Sequence, residues 1–156
     1  MGLAGAVLAA NLYACVAADA VLAFQSTYWT KLPVDNGPLL ATLKAEGISH
    51  VWMNHWAALP VMLDARVAGQ PLMAYDWYDV EVGGIDRFPE YRSLVGQAAR
   101  AAFVLVTDEP EPELTQRLHE LGVAYRFHRV PPYVVVLPVS RAVHPSEVGA
   151  ALDERY

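Results

Sequence analysis

One short unit, written twice, constrains this chain more than any other feature. LKAEGI at 43–48 and LHELGV at 118–123 each close a helix-patterned segment with a glycine and open an apolar run. A glycine after the last turn supplies the left-handed residue that stops a helix. Helix, glycine stop and strand is the ordinary grammar of αβ units and does not require duplication. Such alternation favours a parallel sheet covered by helices.

The rest of the chain follows the same grammar. Asp35-Asn36-Gly37-Pro38 is turn chemistry and also offers a helix N-cap. Pro38 to Glu46 reads as a helix with Leu39, Leu40 and Leu43 on one side, and Ile48 to Met53 as a strand. His55 to Val67 has a helical pattern, in which Pro60 is tolerable only within the first turn. Leu72 to Trp77 is a second strand, Gly83-Gly84 a loop and Pro89 to Arg100 a third helix. Ala102 to Thr107 is a third strand. Glu111 to Leu121 is a fourth helix, at whose start Glu109, Glu111 and Glu113 suit the helix dipole. Val123 to Arg129 and Tyr133 to Val139 are two further strands, and the short Pro131-Pro132 link favours a hairpin. His144 to Glu154 reads as a terminal helix. Val104 to Val106 and Val134 to Val136 have the apolar character of strands buried on both faces. The expected fold is α/β: a mainly parallel, Rossmann-like sheet flanked by helices, with a C-terminal antiparallel hairpin and an apolar N-terminal helix.

That apolar helix covers residues 1–24, long enough to span a bilayer, which takes roughly 20 residues. Three readings compete. A signal peptide would carry a basic start, but no Lys or Arg precedes Lys31. A transmembrane span fits the length but contains Asn11 and Asp19. A packed soluble helix would set those two polar residues near one face. Residues 25–37 form a linker in which Tyr28, Trp29 and Lys31 match the residues of a membrane–water interface, or are two packed aromatics and a lysine. Residues 38–156 form the α/β domain.

The 156 residues suit one domain; 54% are hydrophobic and only 18% charged, a surplus that raises the question of a membrane, a partner or a homo-oligomer. Net charge is −6 with no basic run, which argues against nucleic acid and against an anionic membrane surface. The single cysteine, Cys15, cannot form an internal disulfide or a cysteine-based metal site.

No catalytic set, cofactor site or metal site assembles from the sequence. Neither GxGxxG nor GxxxxGK[ST] occurs, and Gly83-Gly84 follows a loop rather than a central strand. His50 and His55 are five apart, wrong for two zinc ligands on one helix and on opposite faces of a strand. Two places follow strand ends, where parallel sheets favour ligands. The first is Asn54, His55 and Trp56, or more plainly an N-cap with two rings packed on it. The second is the acidic stretch Asp76, Trp77 and Asp79, with Asp86 and Arg87 beyond. Rings that stack on sugar faces beside hydroxyl-accepting carboxylates suit a glycan, whereas a solvated loop with local Asp86–Arg87 pairing is the simpler account. The spacing of a calcium loop is absent. His119, His128 and His144 read as surface or edge residues.

From Leu39 to Val106 the chain resembles the segment that follows the last membrane span in bacterial integral-membrane glycosyltransferases of the GT-C type, in the dolichyl-phosphate-mannose–protein mannosyltransferase-like superfamily. The resembling features are the helix ending LKAEGI, the strand and aromatic pair at His55-Trp56, DRFPEY at 86–91 and AAFVLV at 101–106. Relatives often carry Tyr-Trp at the pair, and this chain departs at its first position. The resemblance implies a non-catalytic soluble domain on the extracytoplasmic side of a bacterial cell membrane. It would be attached to the membrane portion of its parent, or to lipid, through residues 1–24. It also implies an enzyme that uses a polyprenyl-phosphate sugar donor, with its carboxylate outside this chain, and a domain that shapes the binding of a glycan or protein acceptor or stabilises the enzyme. Two other classes stay open: a stand-alone α/β binding module, and a small soluble enzyme using Asp76, Asp79 or His55.

Overall fold

In the computed structural model the described residues are 32–77, 88–107, 109 and 112–149. The apolar segment 1–24, the linker up to residue 31, and Asp79, Asp86 and Arg87 lie outside them. Leu32–Arg155 forms one compact unit. Its elements in chain order are α1 (Gly37–Ala45), β1 (His50–Met53), α2 (His55–Val67), β2 (Met73–Tyr75), α3 (Pro89–Gln97), β3 (Ala102–Val106), α4 (Glu113–Glu120), β4 (Tyr125–Val130), β5 (Tyr133–Pro138) and α5 (Pro145–Val148).

The fold is α/β, a five-stranded sheet of order β2-β1-β3-β5-β4 flanked by helices. The sheet is mixed rather than mainly parallel: β2, β1 and β3 run parallel, while β3–β5 and β5–β4 pair antiparallel. The reason is β5, which turns back from β4 across Pro131-Pro132 and inserts beside β3 instead of extending the edge. β3 therefore sits at the centre, buried along its whole length, and β5 is buried as completely.

The helix stops work as the sequence unit implies. Gly47 (φ 66°) and Gly122 (φ 65°) are left-handed, and the following amides reach back to Leu43 O and Leu118 O at 2.9 Å. Those bonds satisfy carbonyls that the helix end would orphan. α2 ends in the same way at Gly69 (φ 67°), with the Gln70 N–H donating to Ala65 O at 2.8 Å.

Several boundaries move. β1 and β2 are shorter than the apolar runs that contain them, α3 stops at Gln97, and α5 is a single turn within the described residues. Pro60 is the sixth residue of α2, not in its first turn. The amide it lacks would pair with the carbonyl of Trp56, so α2 forgoes one bond of its ladder there.

Register divides the side chains between two faces. Trp52 is level with Tyr75 and Phe103, and that face meets Val95 and Gly96 of α3 and His144 before α5. Met53, Val104, Val135 and His128 share the other face, which α1 and α2 cover. A right-handed crossover outward from β1 to β2, then another back across to β3, puts α2 and α3 on opposite sides.

Candidate functional site

The carboxyl ends of β1 and β2 lie side by side, and this brings together two of the stretches singled out in the sequence. β1 ends at Met53 and α2 begins two residues later, so Asn54 sits at the helix cap. Its Oδ1 accepts from the Trp56 N–H at 3.0 Å. β2 ends at Tyr75, and the next residue, Asp76, turns toward the start of α2. The His55 N–H donates to Asp76 Oδ2 at 2.8 Å, and His55 Nδ1 lies 3.3 Å from the same oxygen. A carboxylate from the neighbouring strand thus neutralises the positive end of α2 and steers an imidazole.

The burial of the pair is asymmetric. Asp76 is only 5% exposed, whereas the His55 side chain is 42% exposed. Nδ1 faces the carboxylate, and in the tautomer that carries its proton there Nε2 is an acceptor. The His55 ring packs on Trp56 with centroids 4.3 Å apart and planes tilted by 35°. Trp77 is buried, so its ring belongs to the interior. Among the described residues, Asn54, His55 and Trp56 are at least partly exposed at this end, and Asp76 is buried.

The plainer reading of Asn54 to Trp56 holds: the cap and the packed rings are present, and they stand at a strand end. The solvated-loop account does not fit Asp76, which is buried and paired. The sequence shows only that Asp76 follows a strand; that its strand adjoins β1 is a matter of topology.

A second polar cluster went unseen. Asn36 holds the N-cap position of α1 but makes no side-chain cap bond; it is buried, its Nδ2 donates to Asp64 Oδ2 at 2.7 Å, and its Oδ1 accepts from Tyr133 Oη at 2.7 Å. Asp35 takes the local role instead, accepting from the Gly37 N–H at 2.7 Å. Burial, then the Asp64 carboxylate, pushes the Tyr133 hydroxyl well above its ordinary range, so it stays a donor. At the far edge, Glu46 pairs with Arg126 at 2.7 Å, and His128 Nε2 lies 2.9 Å away, close enough for charge attraction but without hydrogen-bond alignment. The Arg126 hydrogen bond is the main reason the Glu46 carboxyl sits below its ordinary value. His144 caps α5 by accepting from the Ser146 N–H, and it packs edge-on to Trp52 with centroids 5.4 Å apart.

Among the described residues no three His, Cys, Asp or Glu side chains gather to hold a metal ion, and no helix is long and apolar enough to cross a membrane. No protein-family model, curated protein or solved structure matches the chain.

Proposed function

We propose that this chain is the soluble, non-catalytic C-terminal domain of a membrane glycosyltransferase that uses a polyprenyl-phosphate sugar donor, and that Asn54, His55 and Trp56 face its acceptor. We read the parallel half of the sheet as a Rossmann-like unit, with this group at its ligand-binding end, on the extracytoplasmic side. The observation that carries the reading is the His55–Asp76 pairing at the ends of two adjacent parallel strands. An oriented imidazole acceptor beside an exposed indole suits a hydroxylated ligand: the nitrogen takes a hydroxyl proton in a hydrogen bond, and the ring covers an apolar sugar face. Asp76 is turned inward and holds His55, so it suits positioning better than direct attack on a substrate.

The pairing favours one other reading, a small enzyme in which His55 is the base and Asp76 its orienting partner. One experiment separates the two. The purified chain is incubated with polyprenyl-phosphate sugars and a panel of glycan and peptide acceptors, and the His55 ring resonances are followed by NMR. Acceptor-dependent shifts of His55 without sugar transfer support the proposal. Turnover by the pure chain that is lost in His55→Gln supports the enzyme, and silence in both measurements overturns both.

A further inference from the structure

The helix that positions His55 has a second property, which shares only Trp56 with the strand-end site. α2 is apolar on two sides. Ala57, Ala58, Val61 and Ala65 are buried against the sheet. The outward side carries Trp56, Leu59, Leu63 and Val67, spaced three or four apart and 50%, 51%, 62% and 82% exposed. A helix that is hydrophobic all round is normally enclosed by protein or by lipid. Here nothing among the described residues encloses it.

The charges on this helix are sorted as well. Asp64 is tied inward to Asn36 at 2.7 Å. That leaves Arg66 as the charged residue on the outward side, in a chain whose net charge is −6. Leu59, Leu63 and Arg66 also form one wall of an open groove of about 560 Å³, with Phe88 on its other side. α4 shows the contrast: its exposed positions are Glu113, Gln116, His119 and Glu120.

We infer that the outward face of α2 rests on a lipid bilayer surface, with its leucines and valine in the outer acyl region. This rests on the membrane reading above and adds which face of the domain meets the lipid. Trp56 and Arg66 lie near opposite ends of the stripe, about 15 Å apart at 1.5 Å per residue. An indole and an arginine are the side chains that settle at headgroup depth, the arginine by extending its charge outward along an apolar stem. Reach agrees: only residues 25–36 separate the apolar stretch 1–24 from α1, which allows about 40 Å when fully extended. A single cation and an acidic chain fit a zwitterionic surface rather than an anionic one.

The test uses the full chain with Cys15→Ser, labelled with the fluorophore NBD at Leu63→Cys or, as control, at Gln116→Cys on α4. Each labelled chain is reconstituted with phosphatidylcholine vesicles containing doxyl-labelled lipid, and its melting is checked against the unlabelled chain. Leu59→Cys replaces Leu63→Cys if the latter melts early. The label at 63 should shift to the blue and lose most of its emission to the doxyl lipid, while the label at 116 stays unquenched. Equal quenching at the two positions, in a chain that floats with the vesicles, overturns the assignment of this face and leaves membrane attachment standing. A chain that does not float overturns the membrane reading itself. A blue shift at 63 that grows with protein concentration without lipid assigns the face to a second copy and overturns the lipid contact.

Discussion

The two halves of the sheet handle polar groups in opposite ways. In the parallel half, β2, β1 and β3 all point their carboxyl ends in one direction, so Asn54, His55 and Asp76 meet although 21 residues separate the last two. In the antiparallel half the ends alternate, and polar side chains spread along the exposed strand β4. There Arg126 and His128 are met by Glu46 from the cap of α1, 80 residues before Arg126. The first arrangement gathers groups at an end where a ligand can reach them. The second neutralises an edge, which protects an exposed strand from pairing with other chains. This is why the candidate site is placed in the parallel half.

The largest effect belongs to the strand the halves share. Val104 is fully buried at the centre of β3, level with Met53 on one side and Val135 on the other. Val104→Asp puts an unpaired charge between both halves, at a cost of several kcal/mol against a total stability of about 5–15 kcal/mol. The variant should show no cooperative melt by circular dichroism. A folded Val104→Asp protein would mean that the halves do not depend on a common core.

The next effect tests the bridge between them. Asn36 joins Asp64 of α2 to Tyr133 of β5. Asn36→Ala removes both bonds and leaves the buried Tyr133 hydroxyl without its acceptor, which costs about 2–3 kcal/mol. Tyr133→Phe removes one bond and should cost less. Denaturant melts that rank the two variants in the other order would show that the bridge to Asp64 matters little.

Asp76→Ala tests the parallel half alone. It deletes the acceptor of the His55 N–H at the start of α2, a loss of roughly 1–2 kcal/mol. The larger consequence is local: the imidazole loses its orientation, so amide and ring resonances of residues 54–56 should move while those of β4 stay. Shifts that spread evenly over the sheet would contradict the division into halves.

How much of this was legible in the sequence depends on the range of each interaction. The glycine stops at 47 and 122 are local, and both strands beside them are where the pattern puts them. The strand-end location of His55 and Asp76 followed from element order and the rule for parallel sheets, but their contact required knowing that β1 and β2 are neighbours. The D-N-G-P turn does start α1 with Asn36 at the cap position, but the bridge its side chain makes to Asp64 and Tyr133 has no local signal. Glu46 with Arg126 was out of reach, since no local pattern links a helix cap to an edge strand so far along the chain. The mixed sheet has the same origin: the hairpin was readable, while the insertion of β5 between β3 and β4 was not.

The smallest effect concerns the antiparallel edge and is read through pH. Glu46 is held below its ordinary carboxylate value first by the Arg126 hydrogen bond; desolvation opposes this, and the charges of Arg126 and His128 add to the lowering. A carboxyl with a depressed folded value contributes stability that is fully present above its unfolded value, near 4.3, and fades as pH falls through the folded one. Glu147 shifts in the same direction, through the His144 N–H and Arg141, so it forms a background that Glu46→Gln leaves unchanged. The melting temperature of Glu46→Gln should therefore lie slightly below that of the parent at neutral pH, and the gap should close as the solution is taken below pH of about 4. The gap should also narrow in salt, because exposed pairs are screened. A gap unchanged by acid would mean that Glu46 contributes by packing rather than charge, and the edge would then lack the neutralisation that sets the antiparallel half apart.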